Sequence, residues 1–326
     1  MVSIAALFLW ASGPAADPEA FEQKTTYGVD PVPERDTLTV LTWNIGYLSG
    51  MRNNLPYPRD CQFYSNNLDN AKKYLRDIAP DFIAFQEIDV DSYRSCRVHQ
   101  TDNLGQELGF FEGVTALNWN KRYLPFPYWP PSAHYRRVVS GQAILSRFPI
   151  RHSDKHVLQP TQQAPSHYRR FYLDRLAQVA LIDIGKQDTL ALINVHLEAF
   201  DPPAREIQAL EVAKLYRTFQ GRYPVLLIGD FNAHPPSKWG TTSETSEEST
   251  IPMLLSQPLL RSAIDPQVYL SDPERFYTFS SERPVEMIDY IFYSSDRITL
   301  LDARVCTEFG TASDHLPVWM RFVVLR

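Results

Sequence analysis

The chain has 326 residues, 44% of them hydrophobic, and a formal net charge of −6. That length suits one large domain or two medium ones. An acidic chain of this size has no general electrostatic pull on nucleic acid, which excludes broad backbone binding but leaves a local phosphate site open. With 25 prolines and 17 tyrosines, many loops over a broad core are expected.

Residues 2–10 are apolar, and small residues follow at 11–16. This fits a short signal peptide with its cleavage region, although the positive n-region is missing. The alternative is a disordered leader; the run is too short to span a bilayer. The expected division is therefore a leader at 1–25 and one domain at 26–326, with 17–36 as linker. The first reading implies export to a periplasm or the medium, the second a cytoplasmic protein. The three cysteines lack metal-site spacing. Cys61 and Cys96 lie in loop-like sequence and could pair in an exported protein. Cys306 ends a strand-like run (298–305) and reads as a small buried hydrophobe.

Residues 37–45 alternate and then turn apolar, so they form a strand with Asn44 at its end. Asn44 either serves a metal-bound water or phosphate or bonds neighbouring backbone. Residues 65–79 form a helix with Leu68, Ala71, Leu75 and Ile78 on one face, capped by Ser65 or Asn66 and stopped by Pro80. The next strand, 81–87, delivers Glu87 at its exit. A carboxylate there is costly to bury without a divalent cation or an arginine. Residues 117–135 combine aromatics, Lys121, Arg122 and four prolines, which exclude helix and central strand. The run is a proline-stiffened edge loop or a substrate-facing loop for stacking or a lipid interface.

Residues 140–150 form a strand ending in a turn. Residues 175–184 and 189–197 form a hairpin around 185–188, with Asn194 and His196 on one face of the second strand. His196 is either structural or functional. Residues 203–219 form an amphipathic helix whose inner face carries Ile207, Leu210, Ala213 and Leu215, ended by Gly221. Residues 224–228 form a buried strand that delivers Asp230 and Asn232. Two residues apart in an extended chain, they face one spot, unless they form an Asx-turn. Residues 240–250 are a Ser/Thr/Glu-rich loop. A strand at 287–293 carries Asp289, and Asp314-His315 lies on a loop feeding a last strand at 318–324.

The same pattern, a buried strand followed by polar groups, thus occurs five times. The motifs Thr-Trp-Asn44-Ile, Ala-Phe-Gln-Glu87, Asn-Val-His196-Leu, Gly-Asp230-Phe-Asn232, Ile-Asp289-Tyr-Ile and Ser-Asp314-His315-Leu-Pro stand in this order over residues 37–326. Together they resemble the endonuclease/exonuclease/phosphatase superfamily. It includes pancreatic-type deoxyribonucleases, abasic-site endonucleases, neutral sphingomyelinases and inositol polyphosphate phosphatases. The resemblance implies an α/β (α+β) fold, a four-layer sandwich of two mixed β-sheets flanked by helices. It implies hydrolysis of a phosphoester by water with Mg²⁺, or alternatively Mn²⁺. Glu87, Asn44 and Asp314 would hold the metal. Asp230 would activate the water, His315 oriented by Asp289 would contact the phosphate, and Asn232 and His196 would donate to phosphoryl oxygens.

Two departures separate the chain from the abasic-site enzymes: Gly46, where they carry an acid two residues after the asparagine, and Met287, where they have an arginine-containing run. With the acidic charge and the aromatic run, they favour a small or lipid-linked phosphodiester over nucleic acid. Some bacterial members resemble the C-terminal part of eukaryotic glycosylphosphatidylinositol lipid-remodelling proteins. The expected partners are a phosphoester substrate (lipid head group, inositol phosphate or nucleic acid) and a membrane surface touched by the 117–135 loop. No obligate protein partner is implied. The alternative activity is a secreted or periplasmic nuclease with the same chemistry.

Overall fold

A computed structural model describes residues 2–33, 35–58, 60–186, 188–236 and 248–325. Thirteen strands are present among them: β1 Thr25–Thr26, β2 Thr37–Asn44, β3 Phe82–Asp89, β4 Glu112–Leu124, β5 Arg136–Ser146, β6 Ile150–Val157, β7 Leu176–Gly185, β8 Asp188–His196, β9 Val225–Asp230, β10 Leu260–Ser262, β11 Asp289–Ser294, β12 Ile298–Val305 and β13 Val318–Val324. The helices are α1 Val2–Ser12, α2 Cys61–Ile78, α3 Gln100–Glu107, α4 Ser166–Arg169, α5 Pro202–Phe219, α6 Thr250–Leu255 and α7 Pro266–Ser271.

The strands form a seven-stranded sheet in the order β1-β4-β5-β3-β2-β13-β12 and a six-stranded sheet in the order β10-β11-β9-β8-β7-β6. One parallel pair lies inside each sheet, β2 with β3 and β8 with β9. The neighbouring pairings are antiparallel. The alternation of side chains assigns the layers. Val40, Phe82 and Ala84 meet Ala180, Leu192, Leu226 and Ile228 of the other sheet. Leu41, Trp43, Ile83 and Phe85 point the other way, onto Leu68, Ala71 and Leu75 of α2 and Leu104 of α3. On the far side of the second sheet, Ala209, Val212, Ala213 and Tyr216 of α5 close the core. Each such large side chain, fully buried, contributes roughly 1.5–3 kcal/mol. The result is the expected four-layer sandwich of two mixed sheets.

Several local expectations change. Helix α2 starts at Cys61, four residues before the expected site, because Asp60 accepts a hydrogen bond from Gln62 N at 3.0 Å and caps it. In α5 the buried face is Ala204, Arg205, Gln208, Ala209, Val212, Ala213 and Tyr216, whereas Ile207 and Leu210 are exposed. Ala213 is buried as expected and Leu215 packs against the core, so apolar periodicity misplaced Ile207 and Leu210 only. The run at 117–135 is half strand: β4 extends to Leu124, and its prolines, Pro125 onward, lie beyond that end. Strand β6 is an edge strand with a mostly solvated, polar sequence, which hides it from hydropathy.

Of the expected loop at 240–250, residues 240–247 lie outside the described residues, and Thr250 opens α6. Gln187 of the β7–β8 turn also lies outside them. Cys61 and Cys96 form a disulfide, and Cys306 is buried and free. No helix among the described residues is long and apolar enough to cross a membrane. The apolar N-terminal stretch is helix α1. Ala11 and Ser12 are buried, Phe8 meets Phe171 edge-to-face at 5.2 Å, and Arg170 donates to Ser12 Oγ. The expected linker runs across the first sheet, with Ala15 and Ala16 N–H donating to Asn120 Oδ1 and β1 pairing with β4.

Candidate active site

The parallel pairs end on the same side of the sandwich, and the candidate residues converge there, as ligand sites do at the carboxyl ends of strands in α/β folds. Strand register brings three of them together. His196 lies opposite Asp230, and Asp230 opposite Asp289. Asp230 needs Gly229 before it. Gly229 has φ +142, and a Cβ there would stand 2.0 Å from Val195 O. Only glycine lets β9 lie this close to β8 at its exit.

Glu87 reaches the cleft through a bulge. Strict alternation would place it with Ile83 and Phe85, facing α2. The pairing of β3 with β5 instead shifts between Phe85 and Ile88, and Glu87 takes a left-handed φ of 52°. The extra residue redirects the carboxylate, a use that bulges commonly have near functional sites. Behind it a buried amide network ties the two sheets. Gln86 Nε2 donates to Asn194 Oδ1 at 2.7 Å, and Asn194 Nδ2 donates to Phe85 O at 3.0 Å. Asn194 is thus a structural residue of the expected His196 face.

The contacts among the candidates are specific. Asp230 Oδ2 accepts from Asn44 Nδ2 at 2.9 Å, and its Oδ1 accepts from Asn232 N at 2.9 Å. The second bond is the Asx-turn, so that reading and convergence on one spot hold together. Asn44 Oδ1 accepts from Gly46 N at 3.1 Å, and Asn232 Nδ2 donates to Leu197 O at 2.9 Å. His315 Nδ1 meets Asp289 Oδ2 at 2.9 Å, which leaves Nε2 at 3.9 Å from Asp230 Oδ2. His196 Nε2 lies 3.6 Å from Asp230 Oδ2 and 3.9 Å from Glu87 Oε1. Asp314 and Glu87 meet on one amide: Asn53 Nδ2 donates to Glu87 Oε2 and to Asp314 Oδ2, each at 3.1 Å.

Burial and these neighbours set the protonation states. Burial opposes charge on His315, but Asp289, the hydrogen bond to it, Asp230 and Asp314 outweigh that and push its pKa up to about 10. Burial, with Arg175 and His315 nearby, holds His196 well below the usual histidine range, hence neutral. Burial and then Asp289 raise Asp230 to about 7, against His315, Asn44 and the Asn232 N–H. Glu87 is raised by burial and by Asp314.

Asp230, Asp289 and His315 each offer a ligating atom, all within 4.8 Å of one another, so these buried groups form a possible metal site. A doubly protonated imidazole has no lone pair for a metal, however. The donor set suited to a hard cation is Glu87 with Asp314, two carboxylate oxygens facing one buried amide. Asn53 Oδ1 beside them is buried without a partner. On that chemistry the residues fit a divalent ion.

Eight candidates thus come together. Asn44, Glu87, His196, Asp230, Asn232, Asp314 and His315 line a cleft of about 690 Å³, and Asp289 stands behind His315. Sequence reasoning missed Asn53, whose loop carries no periodic signal. It placed Arg175 only as the first residue of a hairpin strand. Arg175 is buried in the cleft wall, donates to Tyr172 Oη at 2.9 Å and lies 3.4 Å from Glu198, yet its Nη1 has no partner. From the polar end the cleft opens between Phe8, Trp119, Phe126, Tyr128, Phe171 and Phe200.

Buried acids and a charged histidine held by a carboxylate, gathered at the strand ends, suit the hydrolysis of a phosphoester. The family model of the Endonuclease/Exonuclease/phosphatase family matches residues 41–315, and the chain belongs to that family of metal-dependent phosphoesterases. No curated protein matches the chain. Among solved structures it is similar to an endonuclease/exonuclease/phosphatase from Beutenbergia cavernae, with TM-score 0.64 at 19% identity over 89% of this chain and 72% of the other. It is similar to the human Nocturnin catalytic domain solved with bound sulfate, with TM-score 0.60 at 18% identity over 95% and 99%. A Bacteroides thetaiotaomicron mannosyl-6-phosphatase gives TM-score 0.58 at 19% identity over 88% and 99%. At these identities the likeness concerns the fold.

Proposed function

We propose that this protein is a Mg²⁺-dependent phosphodiesterase acting on a phosphoester joined to a lipid or another apolar group. The observation that carries the apolar part is the cleft, in which one polar end continues into an aromatic channel. Of its lining residues Tyr128 and Phe200 are 70% and 80% exposed, and Trp129, next to Tyr128 in sequence, is 76% exposed. Exposed aromatics at the entrance to an apolar channel suit a lipid interface. Arg137 is tied to Asp91 rather than free to meet a phosphate backbone, which supports the lipid reading over a nuclease groove.

On this reading Glu87 and Asp314 would hold the ion, with Asn44 offering the second lone pair of its Oδ1, and a divalent ion held there would offset charge on the phosphoryl oxygens and the leaving group. Asp230, oriented by Asn44 and the Asn232 N–H, accepts the proton of the attacking water. Charged His315 donates from Nε2 to a phosphoryl oxygen while Asp289 fixes its ring. Neutral His196 donates from Nε2, and Asn232 donates its remaining N–H. Each such donor typically contributes about 10²–10³ in rate. The Cys61–Cys96 disulfide supports export, since such bonds persist in oxidising compartments.

The test is hydrolysis by the purified protein of sphingomyelin, a phosphoinositide, a generic aryl phosphodiester and supercoiled plasmid, with Mg²⁺ and with EDTA, and with His315→Ala as control. Lipid turnover that EDTA and the control both abolish is the expected result. Plasmid nicking without lipid turnover would replace this reading with a nuclease, and turnover insensitive to EDTA would end the metal role.

A further inference from the structure

The family resemblance leaves a gap in this chain. Related abasic-site enzymes carry an acid where Gly46 stands, and no side chain fits here. Gly46 has φ +51, and a Cβ on it would meet Asp314 Oδ1 at 2.6 Å and Ser313 Oγ at 2.9 Å. The next atom it would meet is Asn53 Nδ2 at 3.4 Å. The amide of Asn53 therefore stands beside the place from which an acid at position 46 would reach out.

Asn53 follows the 3₁₀ turn Gly50–Arg52, and its backbone N–H donates to Gly50 O. The next residue is pinned independently, because Asn54 N donates to Tyr135 Oη at 3.1 Å and Asn54 Oδ1 accepts from the same hydroxyl at 3.2 Å. The Asn53 side chain is 9% exposed. Its Nδ2 bridges Glu87 and Asp314, and its Oδ1 is buried without a partner. A buried amide oxygen left unsatisfied costs free energy. An amide donating to two buried carboxylates does what a cation between them would do.

We propose that Asn53 is a ligand for the divalent ion, bound through its buried, unpartnered Oδ1 beside Glu87 and Asp314. The two ends of the amide are nearly the same size, and torsion about Cβ–Cγ is soft. When an ion displaces Nδ2 from the carboxylates, a half-turn brings the unpartnered Oδ1 to face it. A neutral oxygen in place of an acid leaves the site one negative charge poorer, which lowers affinity for Mg²⁺ and makes the resident ion easier to exchange.

This inference rests on the proposed metal site, and the experiment separates the two. Mn²⁺ binding is measured by calorimetry and by the loss of the free-ion electron paramagnetic resonance signal, without substrate. Wild type is compared with Asn53→Ala, Asn53→Asp and Glu87→Gln. The metal-free circular dichroism and melting temperature of each serve as the folding control. Asn53→Ala is expected to bind at least 10-fold more weakly, and Asn53→Asp at least as tightly as wild type. If Asn53 only damps repulsion between Glu87 and Asp314, its removal makes the site more negative, and Asn53→Ala binds more tightly. That result, or equal affinity, would overturn the ligand role. Failure of wild type and Asn53→Asp to bind any ion would instead overturn the metal site itself.

Discussion

His315 Nδ1 and Asp289 Oδ2 lie 2.9 Å apart, and that contact decides which edge of the imidazole faces the cleft. With Nδ1 committed, only Nε2 is left for substrate. The same contact helps to keep the ring charged, with its pKa pushed up to about 10. His315→Ala is expected to lose at least about 10² in turnover. Asp289→Asn should lose less and move the alkaline limb of the pH–rate profile down by at least one unit, because the charged ring loses its main support. An unchanged alkaline limb in Asp289→Asn would show that this pair does not set the charge on His315. Stability follows the same sign. The folded state keeps the proton above the unfolded histidine pKa near 6.5. The contribution is therefore complete below that pH and is lost as pH rises towards about 10.

Asp230 is the opposite investment, a charge that the fold holds against its own stability. Burial and Asp289 raise its pKa to about 7, so the folded state binds a proton that the unfolded state has released above pH 4. Stability from this group is complete below that pH and is lost as pH rises through 7. A shift of this size corresponds to on the order of 4 kcal/mol as an upper bound. Asp230→Asn forgoes part of it, because one amide N–H must then face Asn44 or Asn232. The variant is expected to be inactive yet to melt at least about 3 °C above wild type at pH 8 in EDTA. The gain should shrink as pH falls below 7 and vanish below about pH 4, where Asp230 is neutral in both the folded and the unfolded state. Melting below wild type at pH 8 would refute the raised pKa.

The site was legible in the sequence to the extent that local chemistry determines it. Asp230, Asp289, His196 and Asn44 sit at the ends of apolar strands, where alternation and burial announce them. Glu87 was found for an incomplete reason: its exit position was visible, but the bulge that turns it from the α2 side into the cleft was not. Asn53 left no trace, since nothing in the sequence of its loop tells that its amide sits between Glu87 and Asp314. The inner face of α5 was only half legible, because leucine and isoleucine outrank alanine in any hydropathy pattern, yet Ala204, Gln208 and Ala209 are the buried residues and Ile207 and Leu210 are exposed. In the aromatic run, Trp119 and Tyr135 turned out to pack around Arg94, which is itself held by Asp89, so half of it serves the core.

The exposed half leads to a third prediction. Trp129 and Phe200 are among the most exposed large hydrophobic side chains. Trp129→Ser with Phe200→Ser should reduce hydrolysis of a phosphodiester presented in vesicles by at least about 10-fold. Hydrolysis of a soluble aryl diester should stay within about 2-fold, since neither residue contacts the reacting groups. Equal losses on both substrates would assign these residues to the general stability of the cleft. No loss on either would remove the membrane contact from the reading.

A fourth prediction concerns the backbone beneath Asp230. Gly229 combines φ +142 with a would-be Cβ contact of 2.0 Å to Val195 O, and neither can relax without parting β8 from β9. Gly221 also has positive φ, +85, but a Cβ there would meet nothing within 4 Å. Gly221→Ala isolates the strain of the left-handed conformation, expected to cost about 1–2 kcal/mol in urea unfolding. Gly229→Ala adds the backbone collision and should cost more than about 4 kcal/mol, or abolish soluble expression. The two variants measured side by side separate strain from collision. If Gly229→Ala proved no worse than Gly221→Ala, the close approach of β9 to β8 would not be what holds Asp230 in place.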